Sequence, residues 1–428
     1  MTLKISVTAF FVFAVQYLYA QQTLVYSLDD CRNKALEHNK KMKIAQSGID
    51  AAKASYQSVV ASSKPALDAS VIGLHLGKPL GGALDGMIPE FVGNGSLTAS
   101  VPIYAGGKIK NGKSAAGKGI EISEVNKVLT AAEVLLNVEK AYWQVVQVNE
   151  KIVLATKFKA MLQSLEKDLR NSHDAGLIYK NDLLEVQVSL NEAELNLGKA
   201  EDGLVMAKLS LAQVIGNAGE TDFKLSDTVS GNFMELTRPN INLNSERRPE
   251  IAILKKSIEV QELQKKILMG DRLPTFALAA SGFGTAGKRV NIKDGSNFMA
   301  SYYGLATISI PIFDWGKKSN KVREQSFKIA MQQQQLAESK EFVDLEVQNA
   351  YLQLNQSSRK IKLSDLSLVQ SSENLRITED RLKAGTIVGK DVLEAQAIWQ
   401  NAYNSTIDAR IEYKINEVIL RKALGELN

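Results

Sequence analysis

The 428-residue sequence predicts a mostly α protein with a transmembrane β part. Each chain would supply four strands and two long antiparallel coiled-coil hairpins, all from an internal 209-residue duplication. Three observations carry this expectation. Landmarks recur along the chain at one fixed offset. Each copy has two short stretches of alternating character. The heptad patterns that follow run longer than a single globular core can bury.

The repeat comes first, because it sets the frame. Pro102 in "VPIYAGGKIKN" matches Pro311 in "IPIFDWGKKSN", an offset of 311 − 102 = 209. The same offset relates Pro65 to Pro274, "AYWQV" at Ala141 to "AYLQL" at Ala350, and "AGLIYKNDLLEVQ" at Ala175 to "AGTIVGKDVLEAQ" at Ala384. Gly216 matches Gly425. The expected organisation is a signal peptide at 1–20, a first structural repeat at 21–219, a linker at 220–235 and a second repeat at 236–428.

In chain order, "MTLKISVTAFFVFAVQYLYAQQ" reads as a secretory signal peptide. Lys4 precedes an apolar run, Ile5 to Val15, that is too short to cross a bilayer. Cleavage is expected after Ala20. No cysteine directly follows the run, and nothing there marks lipid attachment. The single cysteine, Cys31, reads as a small apolar helix residue.

The first helix is expected from Leu28 to about Ser62, ended by Pro65. "ALDASVIGLHLG" and "GSLTASVPIYAG" then read as strands. In the second, Leu97, Ala99, Val101 and Ile103 share one face, and Thr98 and Ser100 the other. The second copy sets Thr307 and Ser309 among Ala306, Ile308, Ile310 and Ile312. Such alternation suits a half-buried strand or a barrel strand with lipid outside and water inside. Glycine-rich loops, "KPLGGALDGMIPEFVGN" and "TAGKRVNIKDGSN", join the strands.

A helix of about 60 residues, Asn111 to Arg170, follows; it would rise about 90 Å. The returning helix carries Leu183, Val186, Leu190, Ala193, Leu197, Ala200, Leu204, Ala207, Leu211 and Val214 at alternating spacings of three and four. That is a coiled-coil seam. The second copy repeats the hairpin from about Asn320 to Leu424.

Gly107 to Ser114 satisfies the phosphate-loop pattern G-x-x-x-x-G-K-[ST]. In the second copy the G-K-S triplet becomes Lys321, Val322 and Arg323, while Gly316 and Asn320 persist. What the copies share is a strand-to-helix turn. The chain also lacks the alternation of strands and short helices that builds a nucleotide-holding parallel sheet. Asp314 is the nearest thing to a metal-binding aspartate after a strand. No cofactor is expected. His38, His75 and His173 are far apart and lack ligand spacing. No catalytic constellation is present, so an enzyme is not expected. Net charge is +5 without a basic block and aromatics are 7%, so no nucleic-acid partner is called for.

The pattern resembles the TolC-like outer-membrane efflux protein family. The resemblance rests on the opening "SLDDCRNKALEHNKKMKIAQSGIDAAKASYQS", the turns "VPIYAGGK" and "IPIFDWGKK", and the two hairpin tips. It covers nearly the whole mature chain. It implies a homotrimer in the outer membrane, a trimeric α/β-barrel that extends into the periplasm. It also implies work with a periplasmic membrane-fusion adaptor and an inner-membrane efflux pump or ABC transporter. Independently, four strands cannot close a barrel, whereas three chains supply twelve.

The family resemblance implies that Asp391 and Glu394 line the periplasmic entrance of a channel; Asp182 and Glu185 are their repeat mates. The plainer alternative is that acids at a helix start cap it and favour its dipole. The family prototype locks its entrance with a tyrosine and an arginine, and the matching positions here hold Leu382 and Ile387. The tips, with Gly176, Leu177, Gly385 and Thr386, are expected to dock the adaptor. A passive porin and a surface coiled-coil spacer are the alternative functions. Hairpin length argues against the first and the duplicated strand pairs against the second. Cargo and pump class stay open.

Overall fold

The computed structural model describes residues 24–75, 77, 89–229, 233, 245–291 and 293–427. The expected signal peptide, the first eleven residues of the first glycine-rich loop (78–88) and part of the linker lie outside the described residues. The elements in order are β1 (Leu24–Tyr26), α1 (Leu28–His38), α2 (Lys40–Ala61), β2 (Ala66–His75), β3 (Phe91–Ala105), α3 (Lys108–Asp174) and α4 (Lys180–Val214). Then come β4 (Phe223–Leu225), a 3-10 turn (Ser245–Arg247), α5 (Pro249–Gly270), β5 (Thr275–Gly287), β6 (Phe298–Ser309), α6 (Lys317–Lys383) and α7 (Gly389–Ala423).

The 209-residue offset recurs in the element bounds. Lys108–Asp174 maps onto Lys317–Lys383, and Lys180–Val214 onto Gly389–Ala423 (317 − 108 = 389 − 180 = 209). Both long helices have 67 residues and both return helices 35. Two compact units are distinguished, and each draws on both halves of the chain. One comprises Met1–Ala45, Lys127–Pro249 and Lys340–Asn428; the other comprises Gln46–Asn126 and Glu250–Ser339.

The second unit holds a four-stranded antiparallel sheet in the order β2-β3-β5-β6, so β2 and β6 are its edges. Opposite residues share a face in such a ladder. One face carries hydroxyls and amides that bond across the strands: Ser70 to Ser96 at 2.9 Å, Thr98 to Ser281 at 2.9 Å and Asn94 to Thr285 at 2.8 Å. The other carries Leu67, Val71, Leu97, Val101, Leu278, Phe298 and Ile308, spaced by alanine and glycine. Most of these large apolar side chains are exposed on the single chain.

Alternation fails where proline intervenes. The β3–β5 register slips between Pro102 and Tyr104, which leaves Ile103 without an opposite residue and sets Tyr104 against Phe276. Pro102 has no N–H to give the ladder. Likewise β6 stops at Ser309, so Ile310 and Ile312 lie beyond the strand, ahead of and behind Pro311. The chain turns from strand to helix at Gly106 and Gly107 in the first half, both at positive φ, and at Trp315 (φ 55°) and Gly316 in the second. A tryptophan in the left-handed region is strained. Asp314 fixes it, because its carboxylate accepts the N–H groups of Gly316 and Lys318, each at 3.1 Å. This aspartate is therefore a helix cap. The residues of the phosphate-loop pattern from Lys108 to Ser114 already lie in α3, and Lys113 Nζ donates to Ser63 Oγ at 2.8 Å.

The other unit packs around apolar helix faces. Its largest cluster joins Tyr26, Cys31, Val138, Tyr142, Val146, Leu211, Ile215 and Phe223. Burial pushes the Cys31 thiol up to about 12. The seam expected on α4 is buried or half-buried at every position from Leu183 to Val214. The expected first helix is two helices, broken at Asn39 (ψ 133°). There the Asn39 side chain donates to Val214 O at 2.6 Å and accepts from Lys41 N–H at 2.8 Å. The expected linker contains β4, which pairs in parallel with β1.

Gly106 and Gly176 separate two costs of adding a methyl. Both have positive φ, but a Cβ on Gly106 would overlap the Gly270 carbonyl oxygen, whereas one on Gly176 meets nothing within 4 Å. Gly176→Ala should therefore cost only the backbone strain, about 1–2 kcal/mol. Gly106→Ala should lower the melting temperature in detergent by clearly more. Equal losses would show that the Gly106–Gly270 approach is not a constraint.

Candidate functional site

Both hairpin tips are built by the same local device. After α3, Gly176 N–H donates to His173 O at 2.8 Å and Leu177 N–H to Ser172 O at 2.9 Å. After α6, Gly385 N–H donates to Leu382 O at 2.9 Å and Thr386 N–H to Arg381 O at 3.0 Å. This pairing is the Schellman cap, and its turning residue sits left-handed: φ is 71° at Gly176 and 68° at Gly385. Beyond the glycines the tips diverge. Leu177 and Tyr179 are 77% and 83% exposed. In the other tip Ile387 is half-buried and Val388 exposed.

One apolar cluster lies beneath both tips. Leu165 and Leu169 of α3, Leu183 and Val186 of α4, Leu375 of α6, and Val392 and Ala395 of α7 form it. Leu382 and Ile387 pack against the same cluster. They are thus engaged within their own chain. Gly389 is buried in the first turn of α7, where a Cβ would lie 2.6 Å from Leu169 Cδ1. Position 180 of the other tip holds lysine instead.

The four acidic residues divide into two roles. Asp391 is a helix cap: Val388 N–H donates to its Oδ2 at 3.2 Å. Asp182, its mate, takes only a long bond from the Asn181 amide at 3.4 Å. Glu185 and Glu394 are brought together, for both line a groove of about 460 Å³ where α4 faces α7. Glu192 and Lys390 line it too. Among the described residues the groove therefore holds three carboxylates and one ammonium. An array of that sign attracts cations and disfavours anions. Nearby, hydrogen bonds from Gln187 and Arg170 hold the Glu166 carboxyl below its ordinary range.

Two further residues shape the site and escape sequence reasoning. Gln396 is only 2% exposed, and its carbonyl oxygen has no hydrogen-bond partner among the described residues. It lines a second cavity, of about 340 Å³, with Asp168, Glu379 and Leu382. Its one sequence signal is a polar side chain on the apolar stripe of α7. Gly389 gave no signal, since the need for it lies in Leu169, 220 residues away (389 − 169). Among the described residues no group of three or more histidine, cysteine, aspartate or glutamate side chains could hold a metal ion.

Comparison with known proteins places this geometry. Residues 31–217 and 240–426 match the family described as outer membrane efflux protein. The chain is 23% identical to outer membrane protein TolC of Escherichia coli (strain K12) over 324 residues, which is 73% of this chain and 65% of TolC. It thus spans less than two thirds of that relative's length. It is also 23% identical to the cation efflux system protein CusC of Escherichia coli O157:H7, over 92% of this chain and 84% of CusC. Among solved structures, the CmeC outer membrane channel of Campylobacter jejuni superimposes with a TM-score of 0.78 at 18% identity, over 94% of this chain and 86% of that one.

The contact of Gly389 with Leu169 can be tested by a double-mutant cycle. Gly389→Ala should destabilise the protein by about 1–3 kcal/mol through overpacking, despite alanine's better helix propensity. In a Leu169→Ala background the same substitution should cost little. Costs that add within about 0.5 kcal/mol would show that the two residues do not couple.

Proposed function

Because the chain belongs to the outer membrane efflux protein family, we propose that it is the outer-membrane exit duct of a tripartite efflux or type I secretion system. It passes small molecules or polypeptide from the periplasmic side to the outside. The observation that carries this is the sheet. One face is apolar and exposed, the other is rich in hydroxyls, and both edges are open. The apolar face meets outer-membrane lipid and the hydroxyl face lines a wet lumen. Open edges in lipid must pair with other copies. Three chains close a twelve-stranded barrel, which is wide enough to conduct.

We infer that the chain is an internal duplication, with repeats at 21–219 and 236–428. Support comes from the shared offset of the helices and from the two family matches, which start 209 residues apart (240 − 31). The paired 67- and 35-residue helices form the periplasmic part, a feature that a passive porin does not need. The tips at Gly176–Leu177 and Gly385–Thr386 dock the adaptor, which couples the duct to an inner-membrane efflux pump or ABC transporter. Exposed Leu177 and Tyr179 offer it apolar contact. The entrance is lined by Asp391, Glu394, Asp182 and Glu185. Of these, Glu394 and Glu185 set ion preference, and Asp391 mainly caps α7.

Planar-bilayer conductance of the purified protein tests this. The unmodified channel should be cation-selective and blocked by multivalent cations. Glu185→Gln with Glu394→Gln should lower the cation-to-anion permeability ratio severalfold, and Asp391→Asn should change it little. No conductance at all would overturn the duct. Unchanged selectivity in the double variant would overturn the entrance assignment alone.

A further inference from the structure

We propose that the cleft between the α1–α2 junction, α3 and the end of α4 is an anion site that accepts a carboxylate or phosphate group. The cleft has a volume of about 580 Å³. Lys40 and Lys41 line it from the start of α2, Lys140 and Asn137 from α3, and Gln213 from α4. Among the described residues no aspartate or glutamate lines it. None of the three ammonium groups has an ion-pair partner among the described residues.

The other half of the chain shows what the equivalent place holds when it is filled. Arg248 stands 209 residues after Asn39, and Glu346 stands 209 after Asn137. Arg248 is 4% exposed. Its Nη1 donates to Ala423 O at 3.1 Å, and its Nη2 pairs with Glu346 at 2.9 Å. Asn39 keeps the matching carbonyl contact, to Val214 O at 2.6 Å; Val214 is the residue 209 before Ala423. The asparagine is too short to fill the space that a guanidinium occupies. The carboxylate opposite has become the amide of Asn137. One half thus carries a built-in cation–anion pair, and the other carries an open cleft with three cations and, among the described residues, no anion.

The cleft is pre-formed. Gly216 (φ 85°) ends α4 against the α1–α2 junction, so closely that a Cβ there would lie 2.7 Å from His38 Cβ. Lys41 N–H holds the Asn39 side chain in place at 2.8 Å. Three like charges gathered on a fixed frame repel one another, and a bound anion offsets that repulsion. Amide N–H groups from Asn137 and Gln213 can donate to its remaining lone pairs. The ligand takes the place of the Glu346 carboxylate.

The test uses the full chain in detergent at low ionic strength. Citrate and inorganic phosphate are titrated separately by calorimetry, with sodium chloride of matched ionic strength as control. Melting temperature is followed in parallel. At least one of the two should bind saturably and raise the melting temperature beyond the chloride control; the tighter one identifies the chemistry. N137E restores the second-half carboxylate. It should weaken binding tenfold or more and raise the melting temperature of the ligand-free protein. K140Q should weaken binding without that stabilisation. No saturable binding above the chloride control would overturn the proposal, as would unchanged affinity in both variants.

Discussion

A backbone N–H or C=O in hydrocarbon without a partner costs several kcal/mol, and the sheet exposes two full rows of them, on β2 and β6. Much of the chain's design answers to that constraint. The strands alternate only in part: one face is apolar, and the face that carries the hydroxyls also bears Ile72, Phe283, Met299 and Leu305. They lose register or end at Pro102 and Pro311, where the ladder has no donor to continue with. The chain then enters helices, which satisfy their own backbone and need no partner strand. In the proposed assembly the open edges are what make other copies obligatory.

The helices pose the opposite problem, since 67 residues of self-satisfied backbone must be stopped and reversed. Glycine does this each time. Gly176, Gly216, Gly385 and Gly425 all sit at positive φ, and each turn feeds two N–H groups back to the last helical carbonyls. What distinguishes the turns is their surroundings. Gly176 and Gly385 stand in open space at the tips, while Gly216 and Gly425 press against His38 and Arg247. The tips are thus free to meet a partner, and the opposite ends are locked into the core.

The large features were legible because sequence landmarks recur at one offset. A fixed offset exposes turns, seams and strand ends that single motifs leave ambiguous, and it dismissed the phosphate-loop pattern when Lys113 and Ser114 found no counterparts. Features resting on one contact were not legible. The break at Asn39 depends on the Val214 carbonyl, 175 residues away. β1 and β4 have three residues each, too few to show a period. At the site, helix-start position alone could not separate Asp391, which caps, from Glu394, which faces a shared groove; that distinction comes from tertiary placement. Leu382 and Ile387 stand where the family prototype has its lock residues, and both pack against an apolar cluster within the chain.

In the proposed assembly the four-stranded sheet is completed by other copies of the same chain. Native mass measurement of the protein extracted from outer membranes in mild detergent tests it most directly. The expected mass is that of three chains, giving twelve strands in one closed barrel. A stable monomer, or a dimer whose eight strands fill their own interior, would contradict it.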